Sequence, residues 1–99
     1  MHEYRISQSV LLHIFNKHKD LVKKLSVNSP EMLKQTLMNI LKKADEVYVD
    51  AFEVKYYIKN INNLHINVVV KDDEVKTAYL LSTKTYNRMR RRRWIRRQP

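Results

Sequence analysis

The hydrophobic period changes once along the chain, near residue 45, and this change limits the possible folds more than any other feature. Before it, apolar residues recur every three to four positions, which is the spacing of an amphipathic helix. After it, apolar and polar residues alternate, which is the spacing of a strand with one buried face. A chain of 99 residues is enough for one domain. We therefore predict an α+β fold in which two N-terminal helices pack on a four-stranded antiparallel meander.

Both predicted helices have clear start signals. A first helix, capped by Ser7 or Ser9, runs to about Leu25. The segment 28–31 (NSPE) starts the second helix, which ends near Ala44. This segment offers a capping serine, a proline for the first helical position and a glutamate for the positive end of the helix dipole.

The strands are predicted from short alternating segments separated by Asn-rich or Asp-rich turns. The chain contains no glycine, so asparagine and aspartate must supply the turn conformations. Connections this short join antiparallel neighbours, so the strands form a meander. The four predicted strands cover residues 46–52, 54–59, 64–70 and 75–81, with turns at 60–63 and 71–74.

The composition excludes several functional classes. The absence of cysteine excludes disulfides, thiolate metal sites and a cysteine nucleophile, and the absence of glycine excludes phosphate-cradling glycine loops. Four histidines without paired metal-ligand spacing predict no metal site and no cofactor. No apolar run is long enough to span a membrane, and the first residues lack the pattern of a secretion signal, so we expect a cytoplasmic protein.

Positive charge is concentrated at the C-terminus. The chain has 20 Lys and Arg residues against 10 Asp and Glu residues, and seven arginines but no acid follow residue 87. We predict a domain at 1–87 and an arginine-rich tail at 88–99 that meets nucleic acid, RNA more than DNA. A solvated charged surface is the alternative. The candidate contacts in this part are Tyr86, Arg88, Arg90, Arg91, Arg92, Arg93, Trp94, Arg96 and Arg97.

Side chains alternate between the two faces of a strand, and this alternation predicts a second candidate contact surface on the sheet. One face should pack on the helices, and it carries Val54, Tyr56, Ile58, Leu64, Ile66, Val68 and Val70, with Ala78 and Leu80. The other face is expected to be open and to carry Lys55, Tyr57, Lys59, His65 and Asn67, with Thr77 and Tyr79. Such a face suits RNA, because cations hold phosphates and tyrosine rings stack unpaired bases. A merely solvated sheet face is the alternative.

Two histidines receive different predictions. His18 lies within the apolar stripe of the first helix, which predicts a core residue, with proton transfer at a sheet edge as the alternative. His65 alternates with Leu64 and Ile66, so it should point away from the helices. There it could act as base or acid in RNA cleavage.

The segments His13–His18 (HIFNKH) and Val75–Tyr79 (VKTAY) resemble motifs of small metal-independent ribonucleases of the barnase–EndoU–colicin–RelE group. The resemblance covers roughly residues 7–88. It implies an endoribonuclease that needs no metal ion. The site it implies combines His13, Lys17 and His18 on the helix with Thr77 and Tyr79 on a late strand, and Tyr86 and Arg88 just beyond.

The length and composition of the chain resemble those of small proteins of archaeal filamentous viruses, of the lipothrixvirus and rudivirus type. This resemblance implies a viral protein that is thermostable and works in a host cytoplasm. Three functional hypotheses remain open: a nucleic-acid-binding protein, a metal-independent endoribonuclease, and a viral structural or protein-interaction module. A homodimer that buries a sheet edge would favour the last.

Overall fold

The computed structural model describes residues 3–91 and the backbone of residues 95–97, and it has the predicted α+β architecture. The strands of the predicted meander pair antiparallel in one sheet, ordered β4-β3-β2-β1-β5 within the described residues. The helices are α1 (Gln8–Lys17), α2 (Lys19–Lys24), α3 (Pro30–Lys42) and α4 (Thr83–Arg91). The strands are β1 (Glu46–Val49), β2 (Lys55–Ile61), β3 (Leu64–Lys71), β4 (Glu74–Leu81) and β5 (Ile95–Arg97).

The first predicted helix is interrupted, so the N-terminal half contains three helices rather than two. His18 has φ −110° and ψ 60°, outside the helical range, and it ends α1 and precedes α2. At the start of α2 the Asp20 carboxylate accepts a hydrogen bond from the Leu21 N–H at 2.9 Å. The predicted caps form, because Ser7 Oγ accepts from the Val10 N–H and Ser29 Oγ accepts from the Met32 N–H, each at 3.2 Å.

The two tight hairpins use left-handed asparagine and aspartate pairs in place of glycine. Asn62 and Asn63 have φ of 50° and 66°, and Asp72 and Asp73 have φ of 54° and 63°. Positive φ at both central residues is the conformation of a type I′ turn, whose twist matches that of paired strands. The turn chemistry predicted from the sequence is therefore confirmed.

Helices cover both faces of the sheet. The layer formed by α1, α2 and α3 buries one face, in a core that includes Leu11, Ile14, Leu21, Leu33, Leu37, Val47, Tyr57, Ile66, Val68 and Val70. On the other face, Tyr86 and Met89 of α4 pack on Tyr48, Ile58 and Leu81. The prediction of an open second face is therefore wrong for the part that α4 covers.

The C-terminal region is structured at least through α4. The predicted boundary between residues 87 and 88 falls within this helix. Arg96 and Arg97 belong to β5, which pairs with β1, and only their backbone is described. The predicted contacts Arg92, Arg93 and Trp94 lie outside the described residues. Within the described part of the chain, no helix is both long and apolar enough to cross a membrane.

Candidate nucleic-acid interface

The pairing register assigns the two faces of the sheet and corrects one strand. Residues directly opposite each other in antiparallel strands point to the same face. Tyr57 pairs with Val68, so it faces α1–α3, where it is buried and its hydroxyl lies 2.8 Å from that of Tyr4. Tyr56 pairs with Val69 and faces α4. The faces predicted for β3 and β4 are confirmed, whereas those predicted for β2 are reversed.

The reversal moves three candidate nucleic-acid contacts away from His65. Lys55 and Lys59 share the face of Tyr57, and none of the three faces α4. The Lys59 ammonium is occupied, because its Nζ lies 3.0 Å from the Lys43 carbonyl oxygen and 3.3 Å from an Asp45 carboxylate oxygen. The predicted cluster of Lys55, Tyr57 and Lys59 with His65 is therefore wrong.

Helix α4 presents positive charge outward because its apolar side is fixed to the sheet. Tyr86 and Met89, one turn apart, are buried. Lys84, Arg88, Arg90 and Arg91 are exposed on the remaining surface. Asn87, Arg90 and Arg91 line an open groove of about 500 Å³. The arginines predicted to contact nucleic acid thus include three on an ordered helix.

A buried polar cluster holds α4 in place. Glu46 is only 5% exposed, and its carboxylate accepts hydrogen bonds from the hydroxyls of Tyr48, at 2.8 Å, and Tyr86. Burial and the hydrogen bond to this carboxylate raise the pKa of Tyr86. The guanidinium of Arg90 lies 5.6 Å from the centre of the Tyr86 ring, a cation–π distance. Tyr86 is therefore both an anchor of the helix and a contact of one of its arginines.

His65 belongs to this anchor. Its ring stacks on Tyr86 with centroids 3.8 Å apart. Its Nδ1 lies 2.5 Å from the Asn60 side-chain oxygen, which can only accept, so this ring nitrogen donates. The prediction that His65 points away from α1–α3 is confirmed, but α4 covers it in part.

The fold brings together a second group of rings at the β4 edge, which we call the histidine edge: His13, His18 and Tyr79. The rings of His13 and His18 lie 5.7 Å apart, and those of His18 and Tyr79 lie 6.2 Å apart. Thr77 shares the sheet face of Tyr79. His18 is half-buried rather than a core residue. Three residues of the ribonuclease-like motifs thus meet at one edge of the sheet.

Exposed lysines lie on the two helices that pack against β4, the strand of the histidine edge. Lys17 ends α1, and α2 packs against β4, so its cations lie at the same edge of the sheet. These lysines are Lys17, Lys19, Lys23 and Lys24. Cations at this position suit the phosphates of a bound polyanion.

Several residues of the interface were not singled out from the sequence. Glu46 and Tyr48 occupy alternate positions of β1, so the sequence places both side chains on one face of the sheet. Their contact with Tyr86 arises only because α4 packs on that face. Tyr56, which the sequence assigned to the wrong face, shares the α4 face with Tyr79.

Among the described residues, no group of three or more His, Asp or Glu side chains could hold a metal ion. Comparisons of the chain with protein-family models, curated proteins and solved structures found no match in any of the three.

Proposed function

We propose that the protein binds nucleic acid, RNA in preference to DNA, through the arginines of α4 and the lysines around the histidine edge. The observation that carries the proposal is the outward placement of Arg88, Arg90 and Arg91 on a helix fixed to the sheet by Tyr86 and Met89. Like charges on one ordered helix repel each other unless a polyanion neutralises them. Guanidinium groups also bind phosphate in bidentate fashion.

The tyrosines on the α4 face favour RNA with unpaired bases. Tyr56 and Tyr79 are half-buried, so neither residue lies wholly within the core. Both pack against the cluster that α4 forms with the sheet, so they adjoin the basic helix. A ring beside a phosphate-binding surface can stack a base of a single strand.

The experiment is charge replacement on two helices of the same protein. Arg88, Arg90 and Arg91 are replaced together by glutamine, and Lys34, Lys42 and Lys43 on the α3 side serve as the matched control. We expect the α4 variant to lose about tenfold or more in RNA affinity and to flatten the log–log salt slope by about 2 units. Equal losses in both variants would show that net charge alone drives binding. Deletion of residues 88–99 is unsuitable, because it also removes the buried Met89.

A second candidate function, metal-independent RNA cleavage, is favoured by the proximity of the rings in the histidine edge. One imidazole would take the 2′-hydroxyl proton as that oxygen attacks phosphorus, and a second group would protonate the departing 5′ oxygen. The test is labelled RNA in EDTA with His13→Gln and His18→Gln, and with Lys34→Gln on α3 as control. We expect a 2′,3′-cyclic phosphate product that either edge variant abolishes. Loss of cleavage on chelation, restored by Mg²⁺, would overturn this mechanism.

A further inference from the structure

Asn67 is a buried polar side chain on the α4 face of the sheet. It is 0% exposed, and within the described residues neither its amide nitrogen nor its amide oxygen has a hydrogen-bond partner. Its cross-strand neighbours are Ile58 and Tyr79. Buried side-chain amides are nearly always hydrogen-bonded, because an unpaired one loses its water without compensation.

Among the described residues, nothing contacts the Asn67 amide that would require an amide at this position. The next three residues of β3 are Val68, Val69 and Val70, all buried, so valine fits this strand well. A valine at position 67 would keep the strand and remove the desolvation cost. The amide therefore fits a state of the protein in which position 67 meets a polar group.

Helix α4 covers the part of the sheet that contains Asn67. Ile58 and Tyr79 both pack in the cluster that includes Tyr86 and Met89, and α4 contacts β3. The described part of this helix has nine residues, and it is held to the sheet by two buried side chains, the Glu46 hydrogen bond and the His65 stack, with the backbone of β5 pairing with β1 farther along the chain. Displacement of α4 would uncover Asn67 with aromatic rings on both sides, since His65 lies two residues along β3 and Tyr79 is opposite on β4.

We propose that Asn67 is the base-recognition residue of a site for one unpaired nucleobase, closed by α4 when no RNA is bound. A side-chain amide offers a donor and an acceptor side by side, which matches the hydrogen-bonding edge of a base. The rings of Tyr79 and His65 stack that base, and the arginines of α4 stay close to its phosphates. This inference rests on the proposed function and adds its substrate class, a single strand with an accessible base.

The first test compares Asn67→Val with the wild-type protein. We expect the variant to melt about 5 °C higher, because the unpaired amide is gone, and to bind single-stranded RNA about tenfold more weakly. Binding to a duplex of the same sequence should not change, because its bases are not accessible. A stabilised variant that binds the single strand as well as wild type would overturn the inference while the proposed function stands. If the wild-type protein binds neither the single strand nor the duplex, both the Asn67 inference and the proposed nucleic-acid binding are overturned.

A second test keeps Asn67 in place, so it does not depend on the folding of a variant. In the ¹⁵N-labelled wild-type protein, the Asn67 side-chain amide resonances should shift on addition of a mixed-sequence single strand and not on addition of the duplex.

A third test loosens helix α4. Met89→Ala weakens the packing of α4 on the sheet, so the affinity for a single strand should rise about threefold or more. Unshifted Asn67 resonances with a single strand bound, or a Met89→Ala protein with unchanged affinity, would show that the site stays closed.

Discussion

The His65 imidazole stacks on the Tyr86 phenol, with ring centroids 3.8 Å apart and ring planes inclined by 13°. The two rings belong to β3 and to α4, so the stack joins the basic helix to the middle of the sheet. The same phenol donates to the buried carboxylate of Glu46. His65 therefore has a structural role, which its alternation with Leu64 and Ile66 did not reveal.

The stack predicts that His65→Ala destabilises the protein. An aromatic pair of this geometry contributes about 1 kcal/mol beyond the burial of its area. We expect the free energy of unfolding, measured by urea titration, to fall by about that amount. Gln35→Ala is the control, because Gln35 is exposed on α3. Equal effects of the two substitutions would show that the stack contributes nothing.

Replacement of Tyr86 by phenylalanine should destabilise the protein further. The ring and its stack remain, but the buried Glu46 carboxylate loses one of its two tyrosine donors. The loss in the free energy of unfolding is expected to be about 1–3 kcal/mol, since a buried acceptor oxygen that loses its donor keeps its desolvation cost. Tyr79→Phe removes a hydroxyl from a half-buried tyrosine of the same face and should leave the thermal midpoint nearly unchanged. A Tyr86→Phe protein as stable as wild type would contradict this role for Glu46.

The protein should lose stability in alkali. Burial, followed by the hydrogen bond to Asp50, raises the pKa of Tyr56 to about 12. Burial also raises the pKa values of Tyr57 and Tyr86 above the ordinary 10. Below pH 10 these tyrosines are protonated in both states. As pH rises from 10 towards 12, the unfolded chain loses the protons first, so unfolding is favoured.

Phenolate absorbance measured against pH checks this prediction. The wild-type protein should show one more tyrosine titrating near pH 12 than Tyr56→Phe does. Urea titrations between pH 9 and about 11.5 should show the loss of stability. If all tyrosines of the folded protein titrate near pH 10, the prediction is wrong.

Asp50 should stabilise the loop between β1 and β2. Its Oδ1 accepts from the N–H groups of Phe52 and Val54, at 2.8 and 3.0 Å, and its Oδ2 accepts from the Tyr56 hydroxyl at 3.0 Å. Desolvation by itself raises the pKa of Asp50, but these hydrogen bonds outweigh it and hold the pKa below the usual 3.8. The stabilisation is therefore present above pH 4 and disappears as pH falls through the folded-state pKa.

Asp50→Ala is expected to cost about 1 kcal/mol at pH 7, measured by urea titration. The difference between wild type and variant should shrink as pH falls below 4, because protonation weakens the same hydrogen bonds. Glu53→Ala in the same loop is the control, since it changes one acid at an exposed position. An Asp50→Ala effect that is independent of pH would contradict the role assigned to the charged carboxylate.

Features that depend on neighbours in sequence were predictable. Helical spacing, the Ser7 and Ser29 caps and the Asn and Asp turns act within a few residues, so the sequence alone determined the α+β class and the β-meander. In β3, only one face is continuously apolar, so its orientation also followed from the sequence.

Features that depend on distant contacts were decided by the tertiary structure. Tyr56 and Tyr57 are adjacent and equally bulky, so alternation cannot tell which of them faces α1–α3, and the register with β1 and β3 decides. The burial of Tyr86 and Met89 turns an arginine-rich segment into a helix with an apolar side. The His18 ring lies beside Tyr79, with His13 beside His18, only because α1 and α2 pack at the β4 edge. Each of these outcomes depends on area buried between residues far apart in sequence, which no local pattern records.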